Sequence, residues 1–151
     1  MDALELLKQD HQTVKELLRT AKESDDPKKQ RQLFRDIRNE LETHARLEET
    51  IFYPAMAEHE ELKEMVLESI EEHKQVKTLL REMGRLPSSK SGSDKFKAKL
   101  KVLNDNVEHH AEEEEEGKMF PQVRKLVERA ELEELGEELE NAKSKRTRKA
   151  S

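Results

Sequence analysis

His44 and Glu48 stand four residues apart in the stretch His-Ala-Arg-Leu-Glu-Glu-Thr-Ile-Phe-Tyr-Pro, residues 44–54. On a helix that spacing puts both on one face, one turn apart. The same face carries Ile37, Leu41, Ile51 and Ala55, so an imidazole and a carboxylate lie in line with core residues. The pattern recurs. His11 lies between Leu7 and Val14, His73 between Ser69 and Val76, and His110 three residues after Val107 with Glu114 one turn further on. A lone His on an apolar face is more often a core histidine than a ligand. Four such faces and two carboxylates change that reading. A buried carboxylate without a cation costs several kcal/mol, and the middles of these stripes offer no Lys or Arg. Bound metal removes the cost. Six side chains suit two ions, with two His on each and the two carboxylates bridging. That leaves positions for an oxo or hydroxo bridge and an outside ligand. Imidazole and carboxylate donors without thiolate fit iron first, then manganese or zinc.

The elements that must position these residues are long amphipathic helices. The first is expected over about residues 2–23, with Leu4, Leu7, His11, Val14, Leu18 and Ala21 as its stripe. Asp26 and Pro27 then cap and open the second, which runs to about His59 with a kink or local distortion at Pro54. The third spans about residues 60–83 and stops at Gly84. A Ser-rich connection leads to the fourth, which starts near Ser93 or Asp94 and carries Phe96, Leu100, Leu103, Val107, His110 and Glu114 before Pro121. A short helical piece is expected over Leu132 to Leu139. The basic run 143–149 has no apolar pattern and is read as a disordered tail.

The chain also repeats itself. Asp10-His11 through Leu18 resembles Glu72-His73 through Leu80. The stretch from His44 to Pro54 resembles that from His110 to Pro121. Each half is a helix with one His followed by a helix with His-x-x-x-Glu. The expected fold is therefore all-α: an up-down-up-down four-helix bundle of two helix-pair repeats over residues 1–142, plus the tail 143–151.

Composition limits the alternatives. Among 151 residues 42% are charged and 3% aromatic, which calls for an aliphatic core. The net charge of -6 disfavours nucleic-acid binding by the body, leaving at most a weak contact by the basic tail. With no Cys, thiolate sites are excluded. No apolar run approaches the roughly 20 residues that span a bilayer, and residues 1–5 do not read as a signal peptide, so a cytoplasmic location is expected.

With those residues in place, the chain resembles the hemerythrin-like HHE cation-binding family. The matching elements are His11, His44 and Glu48, His73, and His-His-Ala-Glu-Glu-Glu-Glu-Glu-Gly-Lys-Met-Phe-Pro from His109. The resemblance implies a non-haem, carboxylate-bridged di-iron centre that binds, senses or reacts with oxygen or peroxide. The alternative is iron sensing or buffering without catalysis. Two departures stand out. Oxygen carriers of the family have a second His one turn after the third-helix His, where this chain has Lys77. Pro54 follows His44 by ten positions, whereas Pro121 follows His110 by eleven. The apolar stripe therefore points to Glu114 as the second carboxylate, while counting back from Pro121 points to Glu115. Tyr53 and His109 remain candidate contacts, the first as packing or phenolate ligand, the second off the stripe.

Overall fold

The structure is a computed structural model that describes the backbone of residues 1–150 and the side chains of residues 1–146. It is all-helical, with no strand among the described residues. Helix α1 spans Ala3–Glu23, opened by a capping box in which the Asp2 side chain accepts from the Glu5 N–H and Glu5 reaches back to the Asp2 N–H. Gln30 donates to the carbonyls of Ala21 and Ser24 and fixes the corner into α2, Pro27–Leu47. Asp26 caps α2 and Pro27 occupies its first turn, as the sequence predicts.

Of the two expectations at Pro54, the structure shows the local distortion. α2 runs directly into a π-helical segment, Glu48–Phe52, and then into α3, Tyr53–Met56. Proline has no N–H to offer the carbonyl four residues back, and just before it the backbone hydrogen bonds span five residues instead of four. The same device appears at Pro121. α5, Lys90–Glu108, continues as a π-helical segment over His109–Met119 and then as α6, Phe120–Leu126. Between these rods, a 3-10 turn at Glu60–Leu62 leads into α4, Lys63–Gly84. The fourth rod begins at Lys90 rather than at Ser93 or Asp94, because Ser89 takes the cap by accepting from the Gly92 N–H.

The largest departure from the sequence expectation is at the end of the chain. The short piece expected over 132–139 is a helix, α7, spanning Arg129–Ala150, so the run read as a disordered tail is helical up to that point. Ser151 lies outside the described residues. Two cations of the run have partners: Lys143 donates to the Asp10 carboxylate and Arg146 to the Thr43 hydroxyl. Gly136 lets α7 close on the N-terminus, since a Cβ there would fall 2.2 Å from the Met1 carbonyl oxygen.

α1 packs on α2 and α5, α4 on α5 and α2, and α7 lies along α1 and α2. This pairing is compatible with a four-helix bundle carrying one added helix. The apolar core is divided. One half gathers Leu4, Leu7, Phe52, Met56, Leu62, Phe120 and Leu139, the other Val14, Leu18, Ile37, Leu80, Phe96 and Leu103. On every rod the division falls at a histidine. No described helix is long and apolar enough to cross a membrane.

Candidate metal centre

Between the two apolar halves sits a polar layer. Each of four elements contributes one buried imidazole: His11 from α1, His44 from α2, His73 from α4 and His110 from the second π-helical segment. The rings form two edge-on pairs. His11 and His44 have centroids 4.8 Å apart, and His73 and His110 have centroids 4.7 Å apart. Between the pairs lie Glu48 and Glu115, both 0% exposed.

The Nε2 atoms face inward onto these carboxylates. His44 and His73 place Nε2 3.1 and 3.0 Å from Glu48 Oε1. His11 and His110 place Nε2 3.0 and 3.5 Å from Glu115 Oε1. Two groups with converging ligand atoms result, His11/His44/Glu48/Glu115 and Glu48/His73/His110, with Glu48 common to both. Each group could hold a metal ion, and the two meet at one carboxylate.

The Nδ1 atoms face outward, and each meets another carboxylate. Asp10 lies 3.2 Å from His44, Glu116 2.8 Å from His11, Glu72 2.7 Å from His110, and Glu49 3.4 Å from His73. The pattern follows the repeat. The acid preceding the His of an odd rod serves the His of the next rod, and the acid following each inner Glu serves the other half. Sequence reasoning missed all four. The signal was the matching Asp10-His11 and Glu72-His73 pairs and the acids at Glu49 and Glu116. An outward carboxylate on Nδ1 fixes the ring and makes Nε2 a better ligand.

Electrostatics agree. Burial alone would depress His44, but the Glu48 charge and the Asp10 bond push it up to about 10. Burial likewise opposes His11 and His110, and the surrounding carboxylates overcome it, raising both. Burial would raise Glu48, yet the His44 charge and hydrogen bonds from its neighbours hold it well below the usual carboxylate range. Without a metal, the raised His11, His44 and His110 set positive charge against the buried carboxylates. Even so, His44 Nε2, His73 Nδ1 and Glu48 Oε2 are buried with no hydrogen bond of good geometry. Orphaned buried donors and acceptors are costly, and those at His44 Nε2 and Glu48 Oε2 point into the layer that a cation would fill. The residues present therefore fit a metal pair.

Five of the six side chains picked from the sequence come together here: His11, His44, Glu48, His73 and His110. Glu114 does not. It bonds Lys118 and faces His109, while Glu115 takes the inner position. The reason is local. His110 and Glu115 lie within the π-helical segment, where the backbone hydrogen bonds link i+5 to i and each turn takes more residues than in an α-helix. The α-helical stripe from Phe96 to His110 does not continue into it.

Tyr53 is also in the layer. Its hydroxyl donates to Glu115 Oε2 at 2.5 Å and lies 3.4 Å from Nε2 of both His73 and His110. Burial, followed by the charges of Glu115 and Glu48, raises the phenol well above its ordinary value, so it keeps its proton. His109 is half exposed, outside the inner layer. Lys77 pairs with Glu49 at 3.1 Å on the rim. A cavity of about 40 Å³ opens beside the four imidazoles, walled by Val14, Leu41, Val76, Leu80 and Val107.

A DNA nickase of Nostoc sp. is 28% identical over 145 residues, 96% of this chain, and the chain spans only 40% of that protein's length. Uncharacterized proteins of Mycobacterium bovis and Mycobacterium tuberculosis are each 29% identical over 140 residues, covering 92% of this chain and 83% of theirs. No solved structure is significantly similar. The hemerythrin HHE cation-binding domain matches residues 2–123, a span holding every side chain of the polar layer, and the chain belongs to that family.

Proposed function

We propose that the layer holds two iron ions and that the protein binds, senses or reacts with oxygen or peroxide there, in a four-helix bundle that supplies one imidazole per rod. The carrying observation is the double ring of contacts: every Nε2 faces Glu48 or Glu115 while every Nδ1 faces an outer carboxylate. His11 and His44 would hold one ion, His73 and His110 the other, and Glu48 and Glu115 would bridge them. Charge supports a pair. Asp10, Glu48, Glu49, Glu72, Glu115 and Glu116 are six carboxylates; Lys143 pairs with Asp10 and Lys77 with Glu49, leaving four, which two divalent ions balance. Mixed nitrogen and oxygen donors favour iron, with manganese or zinc behind it.

When bound, iron supplies electron transfer to an oxidant. The chain's own residues do the rest. The apolar walls of the small cavity admit a small neutral molecule. The Tyr53 hydroxyl, its oxygen 2.5 Å from Glu115 Oε2, keeps its proton and would offer it to a developing anion on the His73/His110 side. Lys77, in place of the oxygen carriers' fifth histidine, leaves that side one protein ligand short. This favours reaction or sensing over reversible carriage.

Metal analysis with visible absorption of purified protein tests the reading. The expected result is two irons per chain and charge-transfer bands that change with azide or peroxide. Colourless protein, or iron-loaded protein unresponsive to all three of oxygen, peroxide and azide, overturns it. A second reading, iron sensing without turnover, is favoured by the bond from Lys143 of α7 to Asp10, which ties the end of the chain to His44. In that case a chelator changes protease sensitivity of α7 and lowers Tm, while peroxide is not consumed.

A further inference from the structure

The second π-helical segment carries two His–Glu pairs side by side. His110 and Glu115 face inward. His109 and Glu114, each one residue earlier, have the same i+5 spacing and face outward. α4 repeats the shift, since Glu72 precedes His73. Glu72, His109 and Glu114 thus form a displaced copy of the inner His73, His110 and Glu115.

Their ligand atoms converge. His109 Nε2 lies 3.2 Å from Glu72 Oε2 and 3.6 Å from Glu114 Oε1. All three donor atoms lie within 4.8 Å of one another. The two carboxylates are largely shielded, each 14% exposed at the side chain, although His109 is half exposed. His109 Nδ1 is 2.9 Å from Glu113 Oε2, which fixes the ring with Nε2 toward the other two, as the outer carboxylates do within the inner layer. Lys118, at 3.2 Å, supplies the cation that Glu114 now uses, and its side chain is 63% exposed, so it is free to swing out.

We propose that Glu72, His109 and Glu114 form a third cation site, for a divalent ion of the manganese, iron or zinc type, distinct from the inner pair. One imidazole and two carboxylates match such ions, and solvent on the His109 side completes the coordination. Glu72 is common ground: its Oε1 bonds His110 Nδ1 and its Oε2 faces His109. A cation in the outer site therefore sits one carboxylate away from an inner imidazole. The site stands on its own residues, whether or not the inner layer holds iron.

Zinc titration of chelator-stripped protein, by equilibrium dialysis with metal analysis, tests this. Wild type is expected to bind about one equivalent more than the His109→Ala/Glu114→Gln variant, as loss of two of three donors removes a metal site. Lys118→Met, which only removes the competing cation, is expected to tighten that equivalent about twofold, the worth of an i,i+4 pair. The comparison reads a difference, so failure of the inner site to take metal lowers both counts and leaves the difference intact. Equal stoichiometry in wild type and double variant overturns the proposal, as does a Lys118→Met variant that binds the equivalent no more tightly.

Discussion

The two halves of the metal layer reach the same arrangement by different backbone routes. In the first, His44 and Glu48 are spaced for an α-helix, and the π-helical segment of five residues begins only at Glu48. In the second, His110 and Glu115 both lie inside a π-helical segment of eleven residues. Measured from the prolines the halves agree. The carbonyls of Glu48 and Glu115 accept from the N–H groups of Tyr53 and Phe120, five residues on, and each acceptor stands six residues before its proline. The extra residue of the second half falls between His and Glu, and the longer π-helical run absorbs it. The proline marks the register of the carboxylate, and the helix adapts so that the histidine stays in the layer. The halves differ chemically as well. The residue before Pro54 is Tyr53, with its hydroxyl on Glu115, while the residue before Pro121 is Phe120, whose ring stacks 6.2 Å from His11.

The strongest way to break this comparison is to exchange the rival acids. Glu115→Ala and Glu48→Ala should have matching consequences: loss of the bridged pair and, in metal-free protein, destabilisation of about 3–5 kcal/mol from stranding buried partners. Glu114→Gln should keep the inner pair and give up only the outer cation. Metal counts with urea unfolding of stripped protein decide it. If Glu114→Gln empties the inner layer and Glu115→Ala does not, the π-helical register is wrong.

The pH dependence asks whether the halves also agree electrostatically. His44 is raised from 6.5 to about 10, and His110 is raised well above its ordinary value. For a raised pKa, the contribution to stability is complete below the unfolded value and is lost as pH rises through the folded one. Metal-stripped protein should therefore lose Tm between about pH 6.5 and pH 10. Metal needs neutral Nε2, so binding must expel those protons, and affinity should rise about tenfold per pH unit for each proton released. Calorimetry at pH 7 in buffers of different ionisation enthalpy should count more than one proton, with both His44→Gln and His110→Gln reducing the count. A pH-independent affinity would contradict the charge state of the layer.

A smaller effect sharpens the register argument. Deleting Glu113, which is exposed, gives the second half the His–Glu spacing of the first. The inner pair should be retained and the metal-free Tm should rise, since α-helical hydrogen bonds replace poorer π-helical ones. Metal loss on deletion would show that the long π-helical run has a purpose beyond absorbing one residue.

These contrasts show which parts of the molecule were legible from the chain. Apolar spacing located all four rods of the bundle, though not the cap of the fourth, because periodicity survives without knowledge of neighbours: Leu7, His11, Val14 and Leu18 are all buried on one face. His11, His44, Glu48, His73 and His110 were found in the same way. Glu115 was weighed but not favoured, because the stripe was extrapolated at 3.6 residues per turn into a segment whose period is longer. Counting back from Pro121 reaches Glu115, the residue that stands in the inner layer. The outer carboxylates Asp10, Glu49, Glu72 and Glu116 were hidden because they act across rods, and sequence distance does not reveal such pairs. α7 was misread for a related reason. A basic run with no apolar stripe is solvated in isolation, and its order depends on Asp10 and Thr43 more than ninety residues away.

Those long-range contacts supply the last and smallest test. The equivalent acids Asp10 and Glu72 each orient a histidine of the following rod, but they are balanced differently. Asp10 takes Lys143 from α7, whereas Glu72 takes His109 from the π-helical segment. Burial would raise the Asp10 carboxyl, yet the hydrogen bond and charge of His44, with those of Lys143, hold it below its ordinary value. Lys143 is 39% exposed, so its pair with Asp10 is screened; Lys143→Met should cost about 0.5–1 kcal/mol of stability, the upper range for such pairs. The informative reading is where the loss appears. Hydrogen exchange should quicken along residues 129–146 and around His44, with the His73/His110 side unchanged. Loosening on both sides alike would mean that α7 braces the whole bundle rather than one half of the centre.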